Sequence, residues 1–246
     1  ALQAKIAQLR MQNKTPVLDP RFKQDPATST VTFAKTFGWA AQVLGVSTPD
    51  LYVRPDVSGA IVPVPAQPPA SIAGQTVLSG FQPQELTFIC GKHLAGYRIE
   101  HYIKNLFQTQ SELTIMLFAG VMIAFPQTPM PADMQQQVQM TARELAKYMQ
   151  PIQIEQLRLA VKRFLDEGAK ANIRRWMHAV EITACRAGLV VSGDMDIAKK
   201  ILASEPQLPG DLAPAEKVKE LLLFSVSEEY STIRQALGVA VGQEGT

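Results

Sequence analysis

Residues 85–98 read ELTFICGKHLAGYR. The apolar residues of this stretch recur three and four positions apart, which is the spacing of one face of an α-helix. The pattern predicts a helix over residues 84–97. The apolar stripe of this helix consists of Leu86, Ile89, Cys90, His93 and Tyr97.

A second segment, WMHAVEITACRAG at residues 176–188, lies on a predicted helix over residues 171–190. Its apolar residues also step by three and four, which predicts a buried helix face. Glu181 lies between Met177 and Ala184 on that apolar side. A buried carboxylate must find a positive partner or become protonated, so Glu181 is a candidate site residue.

The segment before the first helix has a different composition. Residues 50–83 contain six prolines and three β-rich pieces, at 51–54, 60–64 and 71–78. Because proline is excluded from the middle of a sheet, we expect edge strands or a small meander. The predicted class is therefore α+β and mostly α, with about seven packed helices and a small β-rich insert near residues 50–80.

The remaining proline positions and helix patterns predict the domain organisation. Residues 1–30 read as an N-terminal helix and a proline-containing linker, and residues 31–246 as a single domain. A last helix is predicted over residues 214–237, with an apolar stripe that includes Leu223. We interpret that stripe as core, with a partner-binding face as the alternative.

Composition narrows the class of protein. The chain has 246 residues, is 46% apolar and 19% charged, and carries a net charge of +2. These values exclude general disorder, and a chain of this length can fold without a disulfide or a structural metal. Its two cysteines, Cys90 and Cys185, are predicted to be small buried residues, and their number is typical of a reducing compartment such as the cytoplasm.

Membrane and nucleic-acid partners are not expected. The most apolar run, residues 113–125, would span roughly 20 Å as a helix, short of a hydrocarbon core of about 30 Å. A mild basic cluster is interpreted as a solvated helix face, with nucleic-acid binding as the weaker alternative. Its members are Arg158, Lys162, Arg163, Lys170, Arg174 and Arg175.

The segment 85–98 resembles the zinc helix of HtpX/BepA/Ste-type metallopeptidases, in which that helix commonly reads E-L-x-x-[VL]-[LI]-[GA]-H-E-L-A-H. There, two His residues four positions apart bind zinc, and the Glu between them activates a water molecule. The matching residues are Glu85, Leu86, Gly91, Leu94 and Ala95. Lys92 stands at the first His, His93 at the catalytic Glu, and Gly96 at the second His.

The segment 176–188 resembles the E-x-x-A-D helix of the same family, which supplies the third zinc ligand. Glu181 and Ala184 match that motif, and Cys185 replaces its Asp. The resemblance covers roughly residues 47–200. It implies a gluzincin-like fold and a place in a larger protein with tetratricopeptide repeats.

The departures from the motif imply a pseudopeptidase. A lysine is protonated at neutral pH and is a poor zinc ligand, and Gly96 has no side chain. Only Glu181 of the three ligands is present, whereas catalytic zinc needs three protein ligands and an open position. We therefore expect no catalytic residue, no zinc or other cofactor, and a structural or interaction role with a protein partner.

The same reasoning predicts a specific contact. The Lys92 ammonium is expected to replace the charge of zinc and to pair with Glu181. The alternatives are that Glu181 faces solvent, or that it binds Arg98 or Arg175.

One alternative retains an enzyme. His178 and Glu181 are three residues apart on one helix, which is a spacing of metal ligands. If His93 joined them, a rearranged His/His/Glu site would support an active metal-dependent hydrolase. The more frequent role of a histidine on an apolar stripe is as a hydrogen-bonded core residue.

Overall fold

A computed structural model of the chain describes residues 1–12, 14, 16–207 and 210–239. These residues form twelve α-helices and four short strands, which confirms the α+β, mostly α class. The predicted number of about seven helices is too low, because short helices such as α3 and α5 and the division of the last predicted helix add to it. The helices are α1 (Leu2–Met11), α2 (Thr32–Val43), α3 (Gln75–Ser79), α4 (Pro83–Ala95), α5 (Tyr102–Leu106), α6 (Gln110–Ala124), α7 (Gln135–Ala146), α8 (Pro151–Asp166), α9 (Ile173–Ser192), α10 (Met195–Ser204), α11 (Pro214–Ser225) and α12 (Glu228–Ala236). The strands are β1 (Lys23–Gln24), β2 (Asp50–Val53), β3 (Ile61–Val64) and β4 (Ala70–Ala73). Residues 13 and 15 of the predicted linker, and residues 240–246 of the predicted domain, lie outside the described residues.

The chain divides into two compact units. One consists of Ala1–Thr15 and Leu106–Met177, and the other of Pro16–Asn105 and His178–Thr246. In the first unit, α6 packs against α7 and α8. Buried side chains there include Val121, Ala124 and Val161. A single domain over residues 31–246 stays a prediction, because compactness does not show whether the units fold separately.

A helical core fills the second unit. Helix α4 packs against α2 and α10, and α10 packs against α11. The largest fully buried side chains of this unit include Phe33, Phe37, Phe88, Leu189, Leu202 and Leu221. The segment 85–98 therefore contributes a central helix of this core, since Phe88 and most of the α4 stripe are buried.

The four strands form one mixed sheet in the order β1-β2-β4-β3. Strands β2 and β4 run parallel, and the outer pairs are antiparallel. The expectation of edge strands or a meander is wrong for β2 and β4, which are interior strands. These two contain no proline, whereas Pro63 lies in the edge strand β3, where proline is tolerated. Strand β1 also belongs to this sheet, although it falls in the predicted linker.

Only the first half of the predicted strand at 71–78 is a strand, because α3 begins directly after Gly74. The Gly74 N–H donates to the Ala60 carbonyl at 2.7 Å. A Cβ on Gly74 would lie 2.6 Å from the Gly59 carbonyl oxygen. The preceding loop thus lies against the backbone here, and only a glycine allows that approach.

The predicted helix over residues 214–237 is two helices, α11 and α12. Ser227 separates them, and its hydroxyl accepts a hydrogen bond from the Tyr230 N–H at 3.2 Å. This is an N-cap, which starts a new helix. Of the predicted stripe, Tyr230 and Ile233 pack against the core, whereas Leu223 and Val226 are 59% and 84% exposed, so their assignment to the core is wrong.

Candidate functional site: a network of lysine and glutamate side chains

Helix α4 carries the site, and its ends are fixed by side chains. Near its start, Glu85 accepts a hydrogen bond from the Gln82 N–H at 2.7 Å and is bonded to Lys200. At its end, the Asn105 side-chain amide donates to the Gly96 carbonyl at 2.9 Å. Both contacts satisfy polar groups that a helix terminus leaves without partners, so α4 keeps a defined length.

Two glycines bring α4 against α9. A Cβ on Gly188 would lie 2.8 Å from the Phe88 carbonyl oxygen. A Cβ on Gly91 would lie 3.0 Å from the Ala187 carbonyl oxygen. The two backbones are therefore in direct contact, which places the next turn of α4 within side-chain reach of Glu181. The sequence places Gly91 only at a motif position and does not indicate this packing role.

The predicted ion pair between Lys92 and Glu181 is confirmed. The Lys92 Nζ lies 3.0 Å from Glu181 Oε1. It also donates to Glu205 Oε2 at 2.5 Å, a contact that the sequence did not indicate. Glu205 directly follows α10, so Lys92 joins two segments that are far apart in the chain.

Two further ammonium groups bind the same carboxylate. Lys104 donates to Glu181 Oε2 at 3.0 Å, and Lys217 donates to Glu181 Oε1 at 2.9 Å. Lys217 also lies 3.8 Å from Glu205 Oε2. Neither lysine belongs to a motif, and Lys217 is recognisable beforehand only as a charge in the first turn of a helix. Arg98, an alternative partner for Glu181, instead binds Glu100 at 2.6 Å.

This Lys–Glu network, formed by Lys92, Lys104, Lys217, Glu181 and Glu205, is mostly buried. Its side chains are 8% to 28% exposed. Burial alone would raise the pKa of Glu181, but the three ammonium groups outweigh it and hold that pKa well below its usual range. Burial would lower the pKa of Lys92, but the neighbouring negative groups, among them Glu181 and Glu205, raise it. Both groups therefore stay ionised at neutral pH.

His93 belongs to a second, neutral arrangement on another side of α4. Its Nε2 lies 2.9 Å from Ser71 Oγ, which lies 2.7 Å from the Tyr97 hydroxyl oxygen. The Tyr97 hydroxyl donates to the Ala70 carbonyl at 2.6 Å. Because a carbonyl can only accept, the Tyr97 hydroxyl donates its proton to Ala70. The Ser71 hydroxyl must therefore donate to the Tyr97 oxygen, and the His93 Nε2–H must donate to the Ser71 oxygen.

That direction places a proton on the Nε2 of His93, so this nitrogen cannot accept a proton from Ser71. The imidazole is packed between the rings of Phe37 and Tyr97. Burial lowers the pKa of His93 to about 3. His93 is thus a neutral hydrogen-bonded core residue, which is the role that its apolar stripe favoured, and it is not the general base of a serine nucleophile.

The structure does not assemble the alternative His93/His178/Glu181 metal site. His178 bonds through Nε2 to the Gly210 carbonyl at 2.9 Å, and His93 bonds to Ser71. Among the described parts of the chain, no group of three or more His, Cys, Asp or Glu side chains is arranged to hold a metal ion.

The other positions of the predicted site have simple surroundings. Asn105 side-chain atoms lie 3.0 Å from where a Cβ of Gly96 would be, and so occupy the space next to that residue. Cys185 Sγ lies 4.0 Å from Glu181 Oε1, and burial raises the pKa of its thiol to about 12. Cys90 and Cys185 are both buried and free, as predicted.

Comparison of the chain with models of protein families, with curated proteins and with solved structures gives no match. In the part of the chain that the structure describes, no helix is both long enough and apolar enough to cross a membrane.

Proposed function

We propose that this chain carries a catalytically inactive metallopeptidase-like domain, which serves as a structural or protein-interaction module of a larger cytoplasmic protein. The observation that carries the proposal is the 3.0 Å contact between Lys92 Nζ and Glu181 Oε1. In the resemblance, these residues stand at the first and third zinc-ligand positions. An ammonium group is here bonded to the carboxylate that would bind the metal.

Charge and ligand number both argue against catalytic zinc at this place. Three ammonium groups lie close to Glu181 and Glu205, and they repel a divalent cation. Zinc that activates water needs three protein ligands and an open position, and only Glu181 is available of the expected set. The network supplies the neutralisation that a metal would otherwise give to the buried carboxylate.

A role in protein interaction is supported by apolar surface in the second unit. Leu222, Leu223 and Val226 are 44%, 59% and 84% exposed, and they lie on and just after α11. Adjacent apolar side chains that the core does not cover are a feature of surfaces that bind other proteins. The partner expected from this surface is a protein.

A reversion experiment tests the proposal. The variant Lys92→His/His93→Glu/Gly96→His restores the zinc motif, and Asn105→Ala is added because the Asn105 side chain occupies the space of the new His. If the framework is that of a zinc peptidase, the folded variant will bind about one zinc ion per chain, and the parent chain none. Zinc is measured by elemental analysis after dialysis, and folding by circular dichroism.

The matched control adds Glu181→Gln to the reverted variant, which removes the third ligand and should abolish zinc binding. A folded reverted variant without zinc, or with zinc that is insensitive to Glu181→Gln, would overturn the peptidase resemblance. Peptide hydrolysis by the parent chain that a chelator abolishes would overturn the inactive assignment.

A further inference from the structure

A cavity in the second unit lies apart from the Lys–Glu network. It has a volume of about 440 Å³ and is bordered by residues of α4, α9, α11 and α12 and of the turns after α2 and α4. This volume is in the range of pockets that bind small molecules, about 300–1,000 Å³. Its apolar wall includes Leu44, Val190, Phe224, Ile233 and Leu237.

Arg186 borders this cavity and has one side-chain donor, Nε, without a hydrogen-bond acceptor among the described residues. Its guanidinium is stacked on the Phe224 ring at 4.8 Å. Its Nη2 forms an ion pair with Glu220 Oε2 at 3.7 Å, a distance beyond hydrogen-bond range. Stacking and this long ion pair hold the side chain in place, and one buried donor remains without an acceptor.

The carboxylates that border the cavity are already stabilised by other groups. Glu100 accepts a hydrogen bond from Arg98 at 2.6 Å. Glu229 lies in the first turn of α12, where the free N–H groups of the helix favour a negative charge. Arg186 is thus paired with Glu220 only at a distance beyond hydrogen-bond range, and a planar guanidinium is suited to a closer, bidentate contact with a carboxylate.

We propose that this cavity binds an organic carboxylate with an apolar body, the carboxylate on Arg186 and the apolar body against the wall around Phe224. This chemistry is shared by a free carboxylic acid and by a peptide C-terminus that ends in an apolar residue. The proposal does not depend on the inactive-peptidase assignment, since none of the residues of the Lys–Glu network borders the cavity.

The test measures binding of N-acetyl-leucine, of an acetylated pentapeptide ending in leucine, and of the C-terminal amide of that peptide, by calorimetry and by NMR. We expect at least one free acid to bind with a dissociation constant below about 1 mM, and the amide to bind about tenfold more weakly. Tighter binding of the pentapeptide would identify a peptide C-terminus as the ligand, and equal affinities a small acid.

Two variants locate the site. Arg186→Met keeps an extended side chain on Phe224 but removes the charge, and should weaken binding of the acid about tenfold. Thr183→Trp fills the cavity from the exposed side of α9 and should abolish binding. The matched control is Arg163→Met, since Arg163 is also paired with a glutamate but lies in the first unit. Absence of binding, equal binding of acid and amide, or unchanged binding in Arg186→Met would overturn the proposal.

Discussion

Lys92 and His93 are consecutive residues of α4, yet their polar side chains are stabilised inside the fold in opposite ways. Lys92 keeps its charge and is bonded to Glu181 and Glu205. His93 loses its charge, since burial lowers its pKa to about 3, and it joins the neutral chain through Ser71 and Tyr97. A buried ion needs counter-ions, whereas a neutral ring needs only one oriented hydrogen bond.

The Lys–Glu network is expected to be more sensitive to mutation than the neutral chain of His93, Ser71 and Tyr97. Removing a carboxylate from the Lys–Glu network leaves several buried charges uncompensated, whereas breaking the neutral chain leaves single dipoles without a partner. The first loss involves larger electrostatic energies in a medium of low polarity. The predictions below follow that order.

The largest effect is expected for Glu181→Gln, which keeps the volume of the side chain and removes its charge. Three ammonium groups then lose their shared counter-ion, and the free energy of unfolding should fall by about 3–5 kcal/mol. Urea denaturation measures the change. The control Glu220→Gln removes a carboxylate that is 46% exposed, and should change stability by less than about 0.5 kcal/mol. Equal effects of the two substitutions would contradict the importance of the network.

The close crossing of α4 and α9, which brings Lys92 to Glu181, predicts the next effect. A Cβ on Gly188 would lie 2.8 Å from the Phe88 carbonyl oxygen, so Gly188→Ala forces the helices apart and should cost about 1–3 kcal/mol. The control is Gly120→Ala, also within a helix, where the nearest atom would be at 3.8 Å. There the helix propensity of alanine should stabilise the chain by up to about 1 kcal/mol. Destabilisation of the same size in both variants would refute the packing argument.

Ser71→Ala breaks the neutral chain. It leaves the Nε2–H of His93 without its acceptor in a buried place, and should lower the free energy of unfolding by about 1–2 kcal/mol. Ser79→Ala removes an exposed hydroxyl that bonds only within its own helix, and serves as the control. Nitrogen-15 NMR of the parent chain should show the proton of His93 on Nε2; a proton on Nδ1 alone would contradict the assigned direction of the chain.

The smallest expected effect is a change in the pH dependence of stability, which distinguishes the neutral chain from the Lys–Glu network. The pKa of His93 is about 3 in the folded chain and about 6.5 when unfolded. The unfolded state therefore binds the proton first, and stability falls as the pH drops from 6.5 toward 3. Between pH 7 and 5.5 the His93 contribution is about 1 kcal/mol. His93→Gln should remove that part of the slope; an unchanged slope would show that His93 does not titrate in this way.

Much of the fold could be predicted because it depends on local spacing. The helix over residues 84–97 and the helix over residues 171–190 follow from apolar periodicity alone. The end of β4 at Gly74 could not be predicted, since it depends on a contact with the loop at Gly59. The apolar spacing predicts one helix across Ser227, although serine followed by two acidic residues is a recognisable helix start.

The candidate site could be predicted only at the positions that belong to a motif. The resemblance singled out Lys92 and Glu181, and their pairing followed from charge and burial. Lys104, Glu205 and Lys217 were missed because they come from separate parts of the chain and converge only in the folded unit. Such convergence leaves no periodic signal in the sequence, so long-range ion networks are harder to predict than helices.

We propose that the Lys92 ammonium stands beside Glu181 where a metal ion would bind in the peptidases that this segment resembles. The most direct measurement is an anomalous difference map at the zinc edge, from crystals of the parent chain grown with excess zinc. We expect no anomalous peak beside Glu181, with Lys92 Nζ about 3 Å from the carboxylate. A zinc peak about 2 Å from a Glu181 oxygen, with Lys92 displaced, would contradict this proposal.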